Sequence, residues 1–167
     1  MKLKLIMGLI GVLSLSSFST LPSSDDTNKK PQESWVIGPF LRPEGVNPVL
    51  VPQPTSFHCP MRKEQVKWEE SDVFNPAATV KDGKIVVLYR AEDNSAQGIR
   101  TSRIGYAESA DGVTMKRLDS PVLFPGGDEF ESIECPGGCE DPRVAMTEDG
   151  LYVMLYTAWN RKTPRLA

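Results

Sequence analysis

Two segments of this chain carry the same order of apolar and polar residues. Residues 75–91 contain a short mixed segment, an Asp82-Gly83 turn and a near-continuous apolar run. Residues 141–158 repeat this order 66 positions later, with Asp149-Gly150 at the turn and one extra residue, Glu148. Self-similarity at a fixed period is typical of stacked units that cannot bury their hydrophobic faces alone. The pattern therefore predicts a repeat protein, of which this chain contains about one and a half units.

The first unit has the pattern of a four-stranded antiparallel sheet. Strands are predicted at residues 74–80, 85–92, 103–109 and 113–118, with Asp-Gly pairs at two of the turns. The second unit repeats the first two strands and begins a third near Pro164. Four antiparallel strands joined by short turns make one blade of a β-propeller. We therefore expect an all-β fold, in which the ordered repeat begins near Trp68.

The N-terminal residues have the composition of an export signal. Lys2 and Lys4 precede an apolar run at residues 5–13, and the small residues Ser17 and Ser19 follow it at the spacing of a cleavage site. This predicts a signal peptide over residues 1–19 and a polar, disordered linker over residues 20–34. Residues 35–167 are then the incomplete N-terminal part of a propeller catalytic domain. The apolar run is too short for a stable membrane anchor, so we expect a bacterial protein that is periplasmic or secreted.

Charge and cysteine content exclude several other classes. The net charge is −3 and no basic stripe is present, so nucleic acid is not an expected partner. Cys59, Cys135 and Cys139 are accompanied by a single histidine, His58, which is too few ligands for a zinc site. No metal is expected. Export permits disulfides, so either three free thiols or one bridge with an odd thiol is possible.

The candidate chemistry lies at equivalent positions of the two units. Asn75 and Asp141 both open the first strand of their unit, so both should point toward one axial cavity. Arg90 departs from the repeat, since the second unit has Thr157 there, and such departures favour a functional role. An Asp beside amide and guanidinium donors suits sugar binding and acid catalysis. The alternative is that Asp141, which precedes a proline, only stabilises a turn.

Other polar residues have plainer interpretations. Tyr89 and Tyr156 occupy the same repeat position and are predicted to be core residues, whereas Arg103 and Arg165 could be surface charges that cover apolar area. Residues 120–140 form a long connection rich in Pro, Gly and acidic residues. Long connections are usually functional or disordered. Because this one leads into Glu140, it is predicted to lie on the rim of the pocket.

Five motifs in order resemble family 130 of the glycoside hydrolases. They are Phe74-Asn75-Pro76-Ala77, Tyr89-Arg90-Ala91, Ser102-Arg103-Ile104-Gly105, Glu140-Asp141-Pro142-Arg143 and Tyr156-Thr157-Ala158. The resemblance implies a five-bladed propeller enzyme that cleaves β-mannosides with inversion, by hydrolysis or phosphorolysis. The residues present here are expected to be inactive alone. The open alternatives are a non-catalytic carbohydrate-binding propeller and a five-bladed furanosidase.

The same resemblance implies roles for individual residues. Asp141 would be the catalytic acid, which delivers its proton through the 3-hydroxyl of the bound mannose. The sugar would be held by six residues: Asn75, Arg90, Asp93, Arg103, Glu140 and Arg143. Arg161 would bind phosphate, which is a co-substrate if the enzyme is a phosphorylase; no other cofactor is implied. The expected partner is an oligosaccharide substrate.

Overall fold

The structure is a computed structural model that describes residues 37–94 and 100–167. The predicted signal peptide and linker lie outside the described residues. Residues 42–167 form one unit, while residues 37–41 belong to a separate N-terminal unit and carry no strand or helix. The described elements of residues 42–167 are β1 (Gln53–Cys59), β2 (Glu64–Glu69), β3 (Asp72–Lys81), β4 (Lys84–Glu92), β5 (Ser102–Ser109), β6 (Lys116–Arg117), α1 (Glu131–Glu134), β7 (Gly138–Met146), β8 (Tyr152–Trp159) and β9 (Pro164–Leu166).

The first repeat unit, β3 to β6, is an antiparallel sheet in chain order. Its β3–β4 turn has Asp82 at φ +52° and Gly83 at φ +73°. Positive φ at both central residues is the type I′ geometry that matches the twist of a hairpin. The predicted fourth strand, 113–118, shrinks to two residues, because the Asp111 carboxylate accepts hydrogen bonds from the amides of Val113 and Thr114. These bonds extend the turn at the expense of the strand.

The second repeat unit, β7 to β9, follows the same antiparallel order and includes the third strand predicted at Pro164. It joins the first unit through one parallel pair, Ser102 with Gly138. A Cβ added to Gly138 would lie 2.0 Å from the carbonyl oxygen of Ser102, so only glycine allows this approach. Gly138 also has a φ of +110°, which a side chain disfavours.

A hairpin that the sequence analysis did not predict, β1–β2, covers one face of the first unit. The ring of Trp68 stacks on that of Tyr89 at 6.1 Å between centroids, and Phe57 packs against Phe124 at 5.3 Å. The buried core contains side chains from both sheets, and Phe124 packs against it; its members are Phe57, Cys59, Val66, Trp68, Val87, Tyr89, Ala91 and Ala107. Tyr89 is therefore a core residue, as predicted. The ordered region begins upstream of Trp68, at the hairpin.

Strand β4 is buried on both faces, and each face has a different neighbour. Val87 and Tyr89 pack against the hairpin. Successive strand residues point to opposite faces, so Val86 and Arg90 face the other side, where Arg90 contacts β7. The first unit thus lies between the hairpin and the second unit. The all-β prediction is confirmed. Within the described residues the sheets do not close into a ring.

The connection over residues 120–140 is ordered and holds the short helix α1. Most of it lies against other parts of the chain, and only Glu140 reaches the cavity described below. Glu134 in α1 is buried and accepts a hydrogen bond from the Tyr156 hydroxyl at 2.5 Å. Glu69 accepts the equivalent bond from Tyr89 at 2.9 Å. Each unit therefore anchors its repeat tyrosine on a buried glutamate. The three cysteines are unpaired.

Candidate active site

Two β-bulges place Asn75 and Asp141 side by side. The register of β3 against β4 shifts between Phe74 and Ala77, and that of β7 against β8 shifts between Glu140 and Arg143. A bulge inserts a residue and redirects its side chain. Asn75 has a φ of +44° and Asp141 a φ of +50°. Asn and Asp enter this left-handed region more readily than other side-chain-bearing residues, which explains their place in the motif.

The Asp141 carboxylate receives two hydrogen bonds at one oxygen. Asn75 Nδ2 donates to Oδ1 at 2.8 Å, and Arg90 Nη1 donates to the same oxygen at 3.1 Å. Partial burial would raise the pKa of Asp141, but these bonds and the charge of Arg90 outweigh it and hold that pKa below its usual value. The side chain is 36% exposed, so its carboxylate remains accessible to a ligand.

Arg90 is the centre of the cluster. Besides Asp141, its Nη2 donates to Glu92 Oε1 at 2.6 Å and to Glu140 Oε1 at 2.9 Å, and its Nε donates to Ser102 Oγ at 3.1 Å. The Phe74 ring lies beneath the guanidinium, with its centroid 4.7 Å from Cζ. Burial alone would lower the pKa of Arg90, yet its carboxylate partners raise it. The guanidinium is thus a fixed cation shared by three carboxylates.

The neighbouring acids Glu140 and Asp141 have pKa values shifted in opposite directions. Burial raises the pKa of Glu140, and the attraction of Arg90 offsets this only in part. Two titratable groups whose environments separate their pKa values are typical of acid–base sites. In the arrangement seen here Asp141 is ionised at neutral pH. It becomes a proton donor only if a ligand covers it and removes its remaining water.

A polar cavity of about 300 Å³ opens beside the cluster. Its lining includes Arg90, Glu92, Glu140 and three residues from outside the cluster: Arg100, Trp159 and Arg161. Arg161, the predicted phosphate ligand, is exposed and donates a hydrogen bond to the backbone carbonyl of Arg100. The volume is at the lower end of the range for small-molecule sites. The cationic and aromatic side chains suit a sugar or an oxyanion.

Two predicted sugar ligands lie elsewhere. Arg103 is fully buried and donates to Asp93 Oδ2 at 3.0 Å, while the other Asp93 oxygen accepts the Thr101 amide at 3.0 Å. The Arg103 side chain also lies over the ring of Phe57 in the hairpin. Arg103 is therefore neither an exposed sugar ligand nor the surface charge that was the alternative interpretation. Because neither side chain offers surface to a ligand, their placement is that of a structural ion pair that joins the hairpin to the sheet.

The remaining candidate, Arg143, is exposed at the end of the second bulge. Its Nη1 donates to the Pro142 carbonyl at 2.7 Å, and its charge helps to lower the pKa of Asp141. The cluster also contains residues that the sequence analysis did not single out, chiefly Ser102 and Phe74. Glu92 could have been found from the sequence, because it departs from the repeat in the same way as Arg90: the equivalent position in the second unit holds Trp159.

Comparison with known proteins identifies the family. Residues 48–167 match the model of a glycoside hydrolase family described as beta-1,4-mannooligosaccharide phosphorylase, Glyco_hydro_130. The chain belongs to glycoside hydrolase family 130. A curated member, the 1,2-beta-oligomannan phosphorylase of Thermoanaerobacter sp. (strain X514), is 39% identical over 102 residues, which are 59% of this chain and 32% of that protein. This chain therefore spans about a third of the length of that relative.

Solved structures of proteins described as glycoside hydrolases are more similar in sequence. One from Bacteroides ovatus ATCC 8483 is 79% identical and has a TM-score of 0.75, covering 81% of this chain and 38% of its own. Another is described with family 130 glycoside hydrolases that target beta-1,2 mannosidic linkages in Candida mannan. It is 57% identical to this chain and has a TM-score of 0.77. The match covers 84% of this chain and 40% of the solved chain.

The described residues contain neither a metal-binding group nor a membrane-spanning helix. No group of three or more His, Cys, Asp or Glu side chains in residues 37–94 and 100–167 is arranged to hold a metal ion. Over the same ranges, no helix is long and apolar enough to cross a membrane.

Proposed function

We propose that this chain supplies the acid-bearing part of an inverting enzyme that cleaves β-mannosidic linkages. The observation that carries the proposal is the contact of Asp141 with both Asn75 and Arg90 at the two bulges. Four of the five motifs that resemble family 130 contribute a side chain to this cluster, namely Asn75, Arg90, Ser102 and Asp141. Glu140 and Arg143 flank Asp141 and complete the proposed sugar-binding set, and Arg161 lies on the same cavity as Arg90.

In the proposed reaction Asp141 gives its proton to the 3-hydroxyl of the mannose, which passes its own proton to the glycosidic oxygen. The bond from the anomeric carbon to that oxygen breaks, while the opposite face of the ring is attacked by phosphate or by water, whose proton passes to a second carboxylate that acts as base. The products are α-mannose or α-mannose 1-phosphate and the shortened acceptor. Bound substrate favours the protonated form of Asp141, because it covers a partly exposed carboxyl group and so removes water from the charged form.

Hydrolysis of β-1,2 linkages is the form of this activity that we favour. The relative described with hydrolases of β-1,2 mannosides is 57% identical, whereas the curated phosphorylase is 39% identical. A position outside the cytoplasm also favours hydrolysis, since sugar phosphates are not retained there. Phosphorolysis remains the second candidate, because Arg100 and Arg161 bring two cations to the cavity and Arg is well suited to bind phosphate.

The remaining parts of the proposal concern the whole protein. We propose a five-bladed propeller, since the structures that resemble this chain are more than twice its length. Residues 1–19 act as a signal peptide and residues 20–34 as a linker, which places the enzyme in the periplasm or outside a bacterial cell. Its partner is an oligosaccharide.

The test is turnover by the full-length protein of β-1,2- and β-1,4-mannobiose, with and without inorganic phosphate. Free α-mannose without phosphate is the expected product, while mannose 1-phosphate would assign phosphorolysis. Asp141→Asn should abolish turnover and retain sugar binding. Asp149→Asn, an acid in the exposed turn of the same unit, is the control and should be active. Binding without turnover in the wild-type protein would favour a carbohydrate-binding propeller, and activity on arabinosides or fructosides would favour a furanosidase.

A further inference from the structure

The hydrogen-bonding capacity of Arg90 is largely committed to the protein. A guanidinium has five N–H donors. Four of these bonds go to Ser102, Asp141, Glu92 and Glu140. Arg90 is therefore poorly placed to be chiefly a sugar ligand. Its geometry is that of a support that fixes the carboxylates around it.

Two of the four partners, Ser102 and Glu92, bind Nε and Nη2 of Arg90, whereas the reacting acid binds Nη1. Glu92 lies two residues further along β4, on the same face, and is 9% exposed. Ser102 stands directly across from Glu92 in the β4–β5 register, and its hydroxyl lies 3.0 Å from Glu92 Oε1. A serine hydroxyl has one proton, so it donates to Glu92 or, at 3.2 Å, to Glu140. When the hydroxyl donates to Glu92, the side chains of Arg90, Glu92 and Ser102 form a closed triangle of hydrogen bonds.

The repeat shows that the fold does not require this triangle. The positions of Arg90 and Glu92 are occupied in the second unit by Thr157 and Trp159. The strand still forms there, and it pairs with β7 in the same manner. Both charged residues are thus replaced together in the second unit without loss of the strand.

We propose that Glu92 and Ser102 are positioning residues, which hold the Arg90 guanidinium in the plane from which it hydrogen-bonds Asp141. The inference rests on the proposed function in taking Asp141 as the acid. Other groups around Arg90 are Glu140 on β7, the Phe74 ring on β3 and Arg100, whose Nη1 lies 3.6 Å from Glu92 Oε2.

The test measures the pKa of Asp141 by ¹³C NMR titration of the full-length protein. Glu92→Leu removes the acceptor and should release Arg90, so the pKa of Asp141 should rise by about one unit, the lower end of the effect of a neighbouring arginine. Glu92→Gln removes the same charge but keeps an acceptor, so the pKa should stay low. Ser102→Ala removes the acceptor of the Arg90 Nε–H group and should also raise the pKa of Asp141. In the turnover assay, the basic limb of the kcat/KM profile should move with the NMR value, because Asp141 must be protonated to act as the acid.

The different results expected for Leu and Gln distinguish positioning from charge alone. If Glu92 acted only as a negative charge, both variants would lower the pKa of Asp141, and the proposal would be overturned. An unchanged pKa in both variants would overturn it as well. If Glu92→Leu does not fold, Ser102→Ala with Glu92→Gln still gives the comparison. Glu108→Leu, which removes an exposed acid paired with Lys84, is the control and should leave the pKa unchanged. The NMR result stands whether or not mannosides are cleaved, so the two proposals can fail separately.

Discussion

Asn75 has two separable tasks, since its backbone is left-handed and its amide binds Asp141. Asn75→Ala loses the amide but keeps a Cβ in the left-handed region, whereas Asn75→Gly loses both the amide and the Cβ. We expect the Ala variant to be less stable than the Gly variant by about 1 kcal/mol, the cost of that conformation for an L-residue. Both variants should raise the pKa of Asp141. Urea unfolding and NMR titration test the pair; equal stabilities would show that the backbone is not strained.

The buried glutamates beneath the repeat tyrosines should respond in opposite ways to amide substitution. Burial is the main reason that the pKa of Glu134 is raised, and its Oε2 has no partner among the described residues. A raised folded-state pKa contributes stability below the usual value, and this contribution is lost as pH rises through the raised value. Glu134→Gln should therefore gain stability over the wild type as pH increases from about 4.5.

Glu69 is the matched comparison, because it has the same tyrosine contact and also a salt bridge to Arg117 at 2.8 Å. Glu69→Gln breaks that pair and leaves a largely buried arginine without its acid, so it should destabilise the protein at pH 7. The urea midpoints of both variants, measured between about pH 4.5 and about pH 7.5, test whether the two substitutions change stability in opposite directions. The same sign for both would contradict it.

At the scale of elements, the junction of β5 and β7 depends on one glycine. Gly138→Ala would place a methyl group against the Ser102 backbone and push the strands apart. Gly150→Ala is the control, since Gly150 also has a positive φ, +85°, but nothing lies within 4 Å of its added Cβ. Both variants incur the conformational cost of about 1 kcal/mol, and Gly138→Ala should cost clearly more. Thermal unfolding measures the difference. In addition, only the Gly138 variant should move the pKa of Glu140, which contacts Ser102.

The elements that the sequence predicted are those with a long apolar pattern or a distinctive turn. Strand β4 was predicted within a residue of its bounds, because its apolar run lies between an Asp-Gly turn and polar residues. The hairpin was missed, because its apolar positions are few and its turn, residues 60–63, contains no Gly, Asn or Asp. The long connection was expected on the pocket rim, but apolar contacts such as that of Phe124 with Phe57 hold it against the hairpin.

The candidate site was predicted in part from the repeat and in part from the motifs that resemble family 130, which supplied Glu140 and Arg143. Asn75, Asp141 and Arg90 were found by comparing equivalent positions. Ser102 was not, since a small polar residue in a strand carries no signal until its cross-strand neighbour is known. The buried pair of Arg103 and Asp93 was assigned to the sugar because sequence alone does not tell which face of β5 an arginine occupies relative to an unseen hairpin.

At the scale of the whole molecule, equivalent residues of the two units differ in burial. Val86 on β4 is 5% exposed, whereas Val153, its counterpart on β8, is 45% exposed. Val86→Ala should cost about 1.5 kcal/mol, the value of two buried methylene groups, and Val153→Ala should cost little in the chain of 167 residues. Urea unfolding of the two variants tests this. Equal losses would mean that another surface covers Val153.

The contact between the two repeat units is directional. The Arg90 face of the first unit contacts the second unit, while its Tyr89 face contacts the hairpin. A head-to-tail contact of this kind has no two-fold axis, and its repetition gives a closed circle or an open spiral according to the rotation at each step. The rotation from one unit to the next depends on how closely β5 and β7 approach each other. Bulk added at Gly138 would therefore alter the curvature of any longer array and turn a circle toward a spiral.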